Sequence, residues 1–107
     1  MQEHDNQILV PPSFMAVYTD TRGRLRESAD VVRARYELCE DMAQLLTEQA
    51  ANLQFQLGIT EDLALERCLQ GLLATPDVLI ESEARWVVCR LAELLNWPLP
   101  AWTQTPQ

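Results

Sequence analysis

The chain contains no lysine, and all eight of its basic residues are arginine. Without a lysine amine, catalysis through a Schiff base is excluded. A phosphate-binding loop of the Walker type is excluded as well, because its lysine reaches the outer phosphates of the nucleotide. Glycine is also scarce: the chain has three, Gly23, Gly58 and Gly71, and they form no glycine-rich loop. The sequence therefore lacks the common nucleotide-binding motifs.

Histidine is limited to His4, in the polar segment at residues 1–7 that we predict to be a loose tail. Cysteine and histidine nowhere have the spacing of a zinc site, and the Glu-x-x-His pattern of helical carboxylate metal sites is missing. A Ser-His-Asp triad would have to use His4 on a loose terminus. The sequence therefore predicts no catalytic residue, no metal ligand and no cofactor, although acids from several helices could still form an oxygen-ligand metal site.

Three cysteines stand alone at positions 39, 68 and 89, so their number is odd and no CxxC pair exists. Neither feature is typical of a secreted, disulfide-linked domain. Two prolines interrupt the apolar stretch at residues 8–17, which argues against a signal peptide. No run approaches the roughly 18 apolar residues that span a bilayer. We therefore expect a cytoplasmic protein of bacterial type with no membrane partner.

The charge balance is strongly acidic, with a formal net charge of −8 over 107 residues. Nucleic-acid-binding domains usually carry a basic surface, so we expect no nucleic-acid partner. The length fits one domain spanning residues 1–107. The hydrophobic content of 48% is too high for disorder of the whole chain and is sufficient for a small core.

Capping and helix-breaking residues predict an all-α fold: a small bundle of three main helices, a short N-terminal helix and an extended C-terminal tail at residues 97–107. Pro11 and Pro12 are suited to start the short helix, and Gly23 indicates a turn after it. Serine, threonine and glycine mark the ends of the longer helices. Their predicted boundaries are Ser28 to Leu57 before Gly58, Thr60 to Ala74, and Ser82 to Asn96.

The segment RARYELCED, residues 33–41, places a cysteine among acids, arginines and a tyrosine, as an active site can. On a helix with about 100° per residue, however, Cys39 falls near the middle of an apolar arc and points away from Glu37 and Asp41. We therefore predict that Cys39, and Cys68 on the second helix, are buried hydrophobic residues of low reactivity. The predicted apolar arc consists of Val31, Val32, Leu38, Cys39, Met42, Leu45, Leu46, Ala50, Leu53 and Leu57.

Arg35 breaks this pattern because it lies inside the apolar arc, one turn before Cys39. Two interpretations stay open. Its stem can cover the core while its head reaches water, or its guanidinium can pair with a carboxylate from another element. Together with Tyr36 and nearby acids, Arg35 is also where an unrecognised catalytic or nucleotide-binding site would be centred.

The third helix carries a second patch, Trp86 and Cys89, on the side opposite its apolar core stripe. One interpretation is that the C-terminal tail or the N-terminal segment covers Trp86 within the same chain. The other is a contact with a second copy or another protein through Trp86, Cys89 and Arg90, because tryptophan and arginine are enriched at interfaces. A reactive Cys89 would also permit redox sensing.

The C-terminal tail carries Trp97 and Trp102 among its prolines. We expect it to pack back on the helices, with Phe55 as the place where it lands, since a small core needs cover. The alternative is that it serves as an extended ligand for another protein.

Five of the eight arginines fall between residues 22 and 35. Arg22, Arg24 and Arg26 either balance nearby acids in a loop or form a docking patch for an acidic partner.

Three segments, ILVPPSFMAVYTD, ARYELCEDMAQLL and RWVVCRLAELLNW, together resemble a family of short bacterial proteins that often carry the label "ATPase with chaperone activity". The likeness covers nearly the whole chain, from Ile8 to Trp97. The resemblance implies an accessory role beside a chaperone or protease machine, and it assigns no catalytic residue to this sequence.

We predict a small cytoplasmic helical protein-protein interaction module, an adaptor or regulator whose partner is an unknown protein or a second copy of the chain. The alternative is an enzyme or nucleotide-binding protein with an unrecognised site. The predicted contact residues are Trp86, Cys89 and Arg90, with Arg22, Arg24 and Arg26 as a secondary docking patch.

Overall fold

The computed structural model describes residues 9–104, and this part of the chain is helical, as predicted. The predicted loose tail at residues 1–7 lies outside the described residues. Between residues 9 and 104 the pairing of extended backbone is limited to one isolated bridge, from Thr19 to Leu25. No helix in that range has the length and apolarity needed to cross a bilayer. The elements are α1 (Pro12–Met15), a 3-10 turn (Ala16–Tyr18), α2 (Ala29–Leu57), α3 (Glu61–Leu73), α4 (Glu81–Leu95) and a second 3-10 turn (Ala101–Gln104).

The chain divides between Leu38 and Cys39 into two compact units. The first unit contains α1, the turn after it and the start of α2. The second unit contains the rest of α2, together with α3, α4 and the C-terminal segment. Within the second unit the three helices pack together as a bundle.

The predicted N-caps of α2 and α3, Ser28 and Thr60, are confirmed. The Ser28 hydroxyl accepts a hydrogen bond from the Val31 backbone N–H at 3.2 Å, and the Thr60 hydroxyl accepts one from Leu63 at the same distance. Each bond satisfies one of the amides that a helix start leaves without an intrahelical acceptor. Gly58 ends α2 with a φ of 64°, a left-handed conformation that glycine adopts without steric cost.

The prediction that Ser82 is the N-cap of α4 is wrong. The helix begins at Glu81, with Ile80 in the N-cap position. The buried Glu83 carboxylate accepts a hydrogen bond from the Ile80 backbone N–H at 3.1 Å, which is half of a capping box. The C-terminal end agrees with prediction, because Asn96 adopts a left-handed φ of 60° and stops the helix.

Aromatic side chains form the core of the first unit. Phe14 is fully buried, and its ring centroid lies 6.0 Å from that of Tyr18 and 5.6 Å from that of Tyr36, in an edge-on arrangement with the latter. Such tilted pairs contribute about 0.5–1.5 kcal/mol each beyond the burial of their area. The short α1, begun by Pro12, therefore serves to place Phe14 against the start of α2.

Helix α4 has buried residues on more than one side, as expected for the central helix of the second unit. Its predicted core stripe is buried at Val87, Val88 and Leu91, and Trp86 on the other side is buried as well. Cys39 and Cys68 are both buried, as predicted, and burial raises the pKa of the Cys68 thiol. The fully buried residues of α4 are Glu83, Ala84, Val87, Val88, Leu91 and Ala92.

The predicted apolar arc of α2 is only partly correct. Leu45 is 78% exposed, and Leu57 and Val31 are exposed too, so these three assignments to the core are wrong. In the second unit the fully buried residues of α2 are small, namely Cys39, Ala43 and Ala50. Met42, Leu46 and Leu53 of the same arc are half-buried. Only a narrow strip of α2 is therefore fully buried in the second unit.

Candidate functional site

Trp86 is 9% exposed and therefore offers little surface to a partner. The C-terminal segment packs against the same side of α4: Pro100 is fully buried, and the Thr103 side chain hydrogen-bonds the Cys89 thiol, one turn beyond Trp86. This arrangement favours the interpretation in which the chain covers Trp86 itself. Residues 97–100 form no regular structure, and a 3-10 turn at Ala101–Gln104 replaces the extended backbone predicted there.

Cys89 is half-buried, and its surroundings keep the thiol protonated. Burial raises its pKa, the hydrogen bond with Thr103 lowers it, and the nearby Glu93 carboxylate raises it again. The net result is a pKa above the ordinary value of 9.0. Because the thiolate is the nucleophilic form, Cys89 in this state is a poor nucleophile near neutral pH.

Arg90 joins α4 to α2 within the second unit. Its Nε donates to Glu40 Oε1 at 2.8 Å and its Nη2 donates to Glu40 Oε2 at 3.1 Å, which is the two-pronged geometry that arginine and carboxylate favour. Its Nη1 donates to Glu93 at 3.1 Å. These hydrogen bonds hold the pKa of Glu40 below 4.5 and raise that of Arg90. The guanidinium is therefore committed to contacts within the chain.

The predicted arginine patch lies in a tight turn of the first unit. The Asp20 carboxylate accepts hydrogen bonds from the backbone N–H groups of Arg22 and Arg24 at 2.8 and 2.9 Å, and Gly23 supplies a φ of 83°. Arg22 and Arg24 are exposed. Arg26 differs, because its guanidinium stacks 5.5 Å from the centre of the Tyr18 ring and donates to the Val17 carbonyl.

Arg35 and Tyr36 would be the centre of the alternative catalytic or nucleotide-binding site. Both side chains are half-buried. The Tyr36 ring packs edge-on against Phe14 in the aromatic core. Among residues 9–104, no three His, Cys, Asp or Glu side chains come together in a group that could hold a metal ion.

The sequence prediction missed the exposed side of α2 in the second unit. We call it the outer face of α2 and define it by Leu45, Gln49, Asn52 and Gln56, which lie within about 60° of arc on the helix. All four are exposed, and with Glu48 and Leu53 they line an open cavity of about 410 Å³. Leu45 projects into water from this face.

Phe55 stands beside the outer face of α2 and is 87% exposed. The prediction that the C-terminal tail lands on Phe55 is therefore wrong. Two large apolar side chains, Leu45 and Phe55, thus remain uncovered three turns apart on one side of the same helix.

The outer face belongs to a stretch that is almost without charge. Glu48, at the edge of the face, is the one charged residue between positions 42 and 60, although 22% of the whole chain is charged. Exposed helix surfaces normally carry charged residues, and interface centres are depleted of them. This gap in the charge pattern is the signal in the sequence that could have identified the face.

The chain matches no protein-family model, no curated protein and no solved structure.

Proposed function

We propose that the chain is a small helical protein-protein interaction module, an adaptor or regulator, and that the outer face of α2 is its main contact surface. The exposure of Leu45 on an uncharged helix face carries this proposal. The centres of protein-protein interfaces are depleted of charged residues, as this face is at its four defining positions.

The composition of the surface fits a protein partner better than a small molecule. The cavity along α2 is open and lined from one helix, whereas ligand sites are concave and bury most of their ligand. An exposed helix can be recognised by another protein through its apolar side chains. Leu45 and Phe55 would be the anchors, and the amides between them would set the register.

The exposed arginines of the first unit provide a second surface. Arg22 and Arg24 are exposed on a turn whose backbone is held by Asp20, so the backbone that carries these two cations is already ordered. An acidic segment of a partner would complement them.

The resemblance to bacterial proteins labelled "ATPase with chaperone activity" supports an accessory role beside a chaperone or protease machine. The three free thiols suit the reducing bacterial cytoplasm, where we place the protein.

Affinity capture from the source cells tests the proposal with three baits: the natural chain, Leu45→Glu and Val78→Glu. Val78 is a matched control because it is an exposed apolar residue in the loop between α3 and α4. We expect a protein that is retained by the natural chain and by Val78→Glu but lost with Leu45→Glu. Equal capture by all three baits would show that the contact surface lies elsewhere.

Trp86→Glu is not a useful variant for this purpose. It would bury a carboxylate in the second unit, and the cost of desolvating an unpaired charge would unfold the bait. Circular dichroism of Leu45→Glu and Val78→Glu checks that both baits are folded, because Leu45 is 78% exposed and Val78 is 41% exposed.

A further inference from the structure

We infer that the outer face of α2 is an interface with a second copy of this chain. This inference rests on the proposed function, which assigns that face as the contact surface, and it names the partner. The first observation is electrostatic. The chain has sixteen acidic and eight basic residues, so two copies repel each other over most orientations.

A symmetric dimer brings one surface patch against the same patch of its mate. Every charge on such a patch is present twice within one small area, so an acidic chain associates with itself most readily through a patch with few charges. The outer face of α2 carries no charge at Leu45, Gln49, Asn52 and Gln56. One acid, Glu48, lines the same cavity and lies at the edge of the face. A strongly basic or acidic partner would instead be matched by opposite charges, which these four positions do not supply.

The amides of the outer face provide a second, independent reason. Glutamine and asparagine both donate and accept hydrogen bonds, so each can pair with a copy of itself. A purely apolar partner helix would bury Gln49 and Asn52 without hydrogen bonds, at a cost of about 1–3 kcal/mol for each group. A second copy presents amides at matching positions together with Leu45 as an apolar anchor. Buried amides of this kind also fix register between paired helices.

The length of the outer face of α2 sets the expected affinity of the dimer. Residues 45–56 span about three helical turns, which is short for a permanent dimer interface. We therefore expect a reversible dimer with a dissociation constant of micromolar order.

Sedimentation equilibrium of the full chain over a wide concentration range tests the inference. The variants are Gln49→Glu and Leu45→Glu, and the control is Ala51→Glu. Ala51 is exposed on the same helix but lies about 120° away from Leu45 around the axis, so the control adds the same charge outside the face. All three positions face water, so the fold of the variants is retained.

We expect Gln49→Glu and Leu45→Glu each to raise the dissociation constant of the dimer about tenfold or more, because in a symmetric pair each new carboxylate appears twice. Ala51→Glu should change it no more than about twofold to threefold through the higher net charge. A chain that is monomeric at every concentration would overturn the inference, and so would a dimer that is insensitive to both face variants.

The same variants separate this inference from the proposed function. A monomeric chain whose captured partner is lost with Leu45→Glu would leave the outer face as a contact surface and replace the second copy with that partner. A dimer that dissociates with Gln49→Glu would support both the self-association and the proposed function of the outer face as a contact surface. If Leu45→Glu altered neither capture nor self-association, both would be overturned.

Discussion

At the scale of single residues, the ion pair between Arg90 and Glu40 links two helices of the second unit through two parallel hydrogen bonds. Both side chains are partly exposed, with Arg90 32% and Glu40 19% accessible, so water screens the attraction. We expect Arg90→Ala to lower the free energy of unfolding by about 1 kcal/mol, the upper end for exposed pairs. Chemical denaturation at pH 7 measures the loss. Arg85→Ala is the control, because its partner Glu81 lies on the same helix and is well exposed; a loss equal to that of Arg90→Ala would contradict the special role of Arg90.

The same ion pair predicts a dependence on pH. Arg90 holds the pKa of Glu40 in the folded chain below 4.5, its ordinary value. The stabilisation is therefore complete above pH 4.5 and disappears as the pH falls through the lowered pKa, since protonated Glu40 no longer carries a charge. The difference in unfolding free energy between the natural chain and Arg90→Ala should shrink as the pH falls from 7 to below 4. A constant difference across this range would show that Arg90 stabilises the fold by packing alone.

The two phenylalanines of the chain differ sharply in burial. Phe14 is fully buried between two tyrosines, whereas Phe55 is almost fully exposed. We expect Phe14→Ala to reduce the free energy of unfolding by about 3–5 kcal/mol, through lost burial and the cavity left behind. Phe55→Ala should change it by less than about 0.5 kcal/mol. Thermal and urea denaturation of dilute samples test both, and a large loss at Phe55 would mean that its side chain is covered in solution.

At the scale of elements, the C-terminal segment acts as a cover for α4. Pro100 is fully buried and Pro98 is exposed, so the pair separates the effect of burial from the loss of proline rigidity. We expect Pro100→Ala to lower the melting temperature and to speed the labelling of Cys89 by a thiol reagent. Loosening the segment exposes the half-buried sulfur to the reagent, and burial is the main cause that raises the pKa of this thiol. Pro98→Ala should do neither. Labelling followed by mass spectrometry measures the rate, and equal rates in both variants would contradict the role of the segment as a cover.

The elements also show what the sequence determines. The caps at Ser28 and Thr60 were predictable because a cap depends on three neighbouring positions of the chain. The exposure of Leu45 was not, because periodicity identifies an apolar arc without indicating how much of it other helices cover. The pairing of Arg90 with Glu40 joins residues 50 positions apart, and no local pattern contains it. The burial of Trp86 likewise depends on the C-terminal segment, which is distant in the sequence, whereas the low charge of residues 42–60 is visible in the sequence itself.

At the scale of the whole molecule, charge is distributed unevenly along the chain. Residues 39–107 contain ten of the sixteen acids and three of the eight arginines, while five arginines lie between positions 22 and 35. The second unit is thus strongly acidic, whereas the four residues that define the outer face of α2 carry no charge. For two copies of an acidic unit, contact through a charge-poor face costs less electrostatic repulsion than contact through acidic parts of the surface.

Self-association through the outer face of α2 predicts a melting temperature that depends on protein concentration. A dimer that forms only from folded chains stabilises the folded state by mass action, so the melting temperature of the natural chain should rise as the concentration passes through the dissociation constant. Gln49→Glu should remove most of this rise and leave the melting temperature of dilute samples unchanged, since Gln49 is exposed in the single chain. Calorimetry over a hundredfold range of concentration, about the span needed to cross the transition, measures the effect. A melting temperature that rises equally in Gln49→Glu would locate the self-association on another surface.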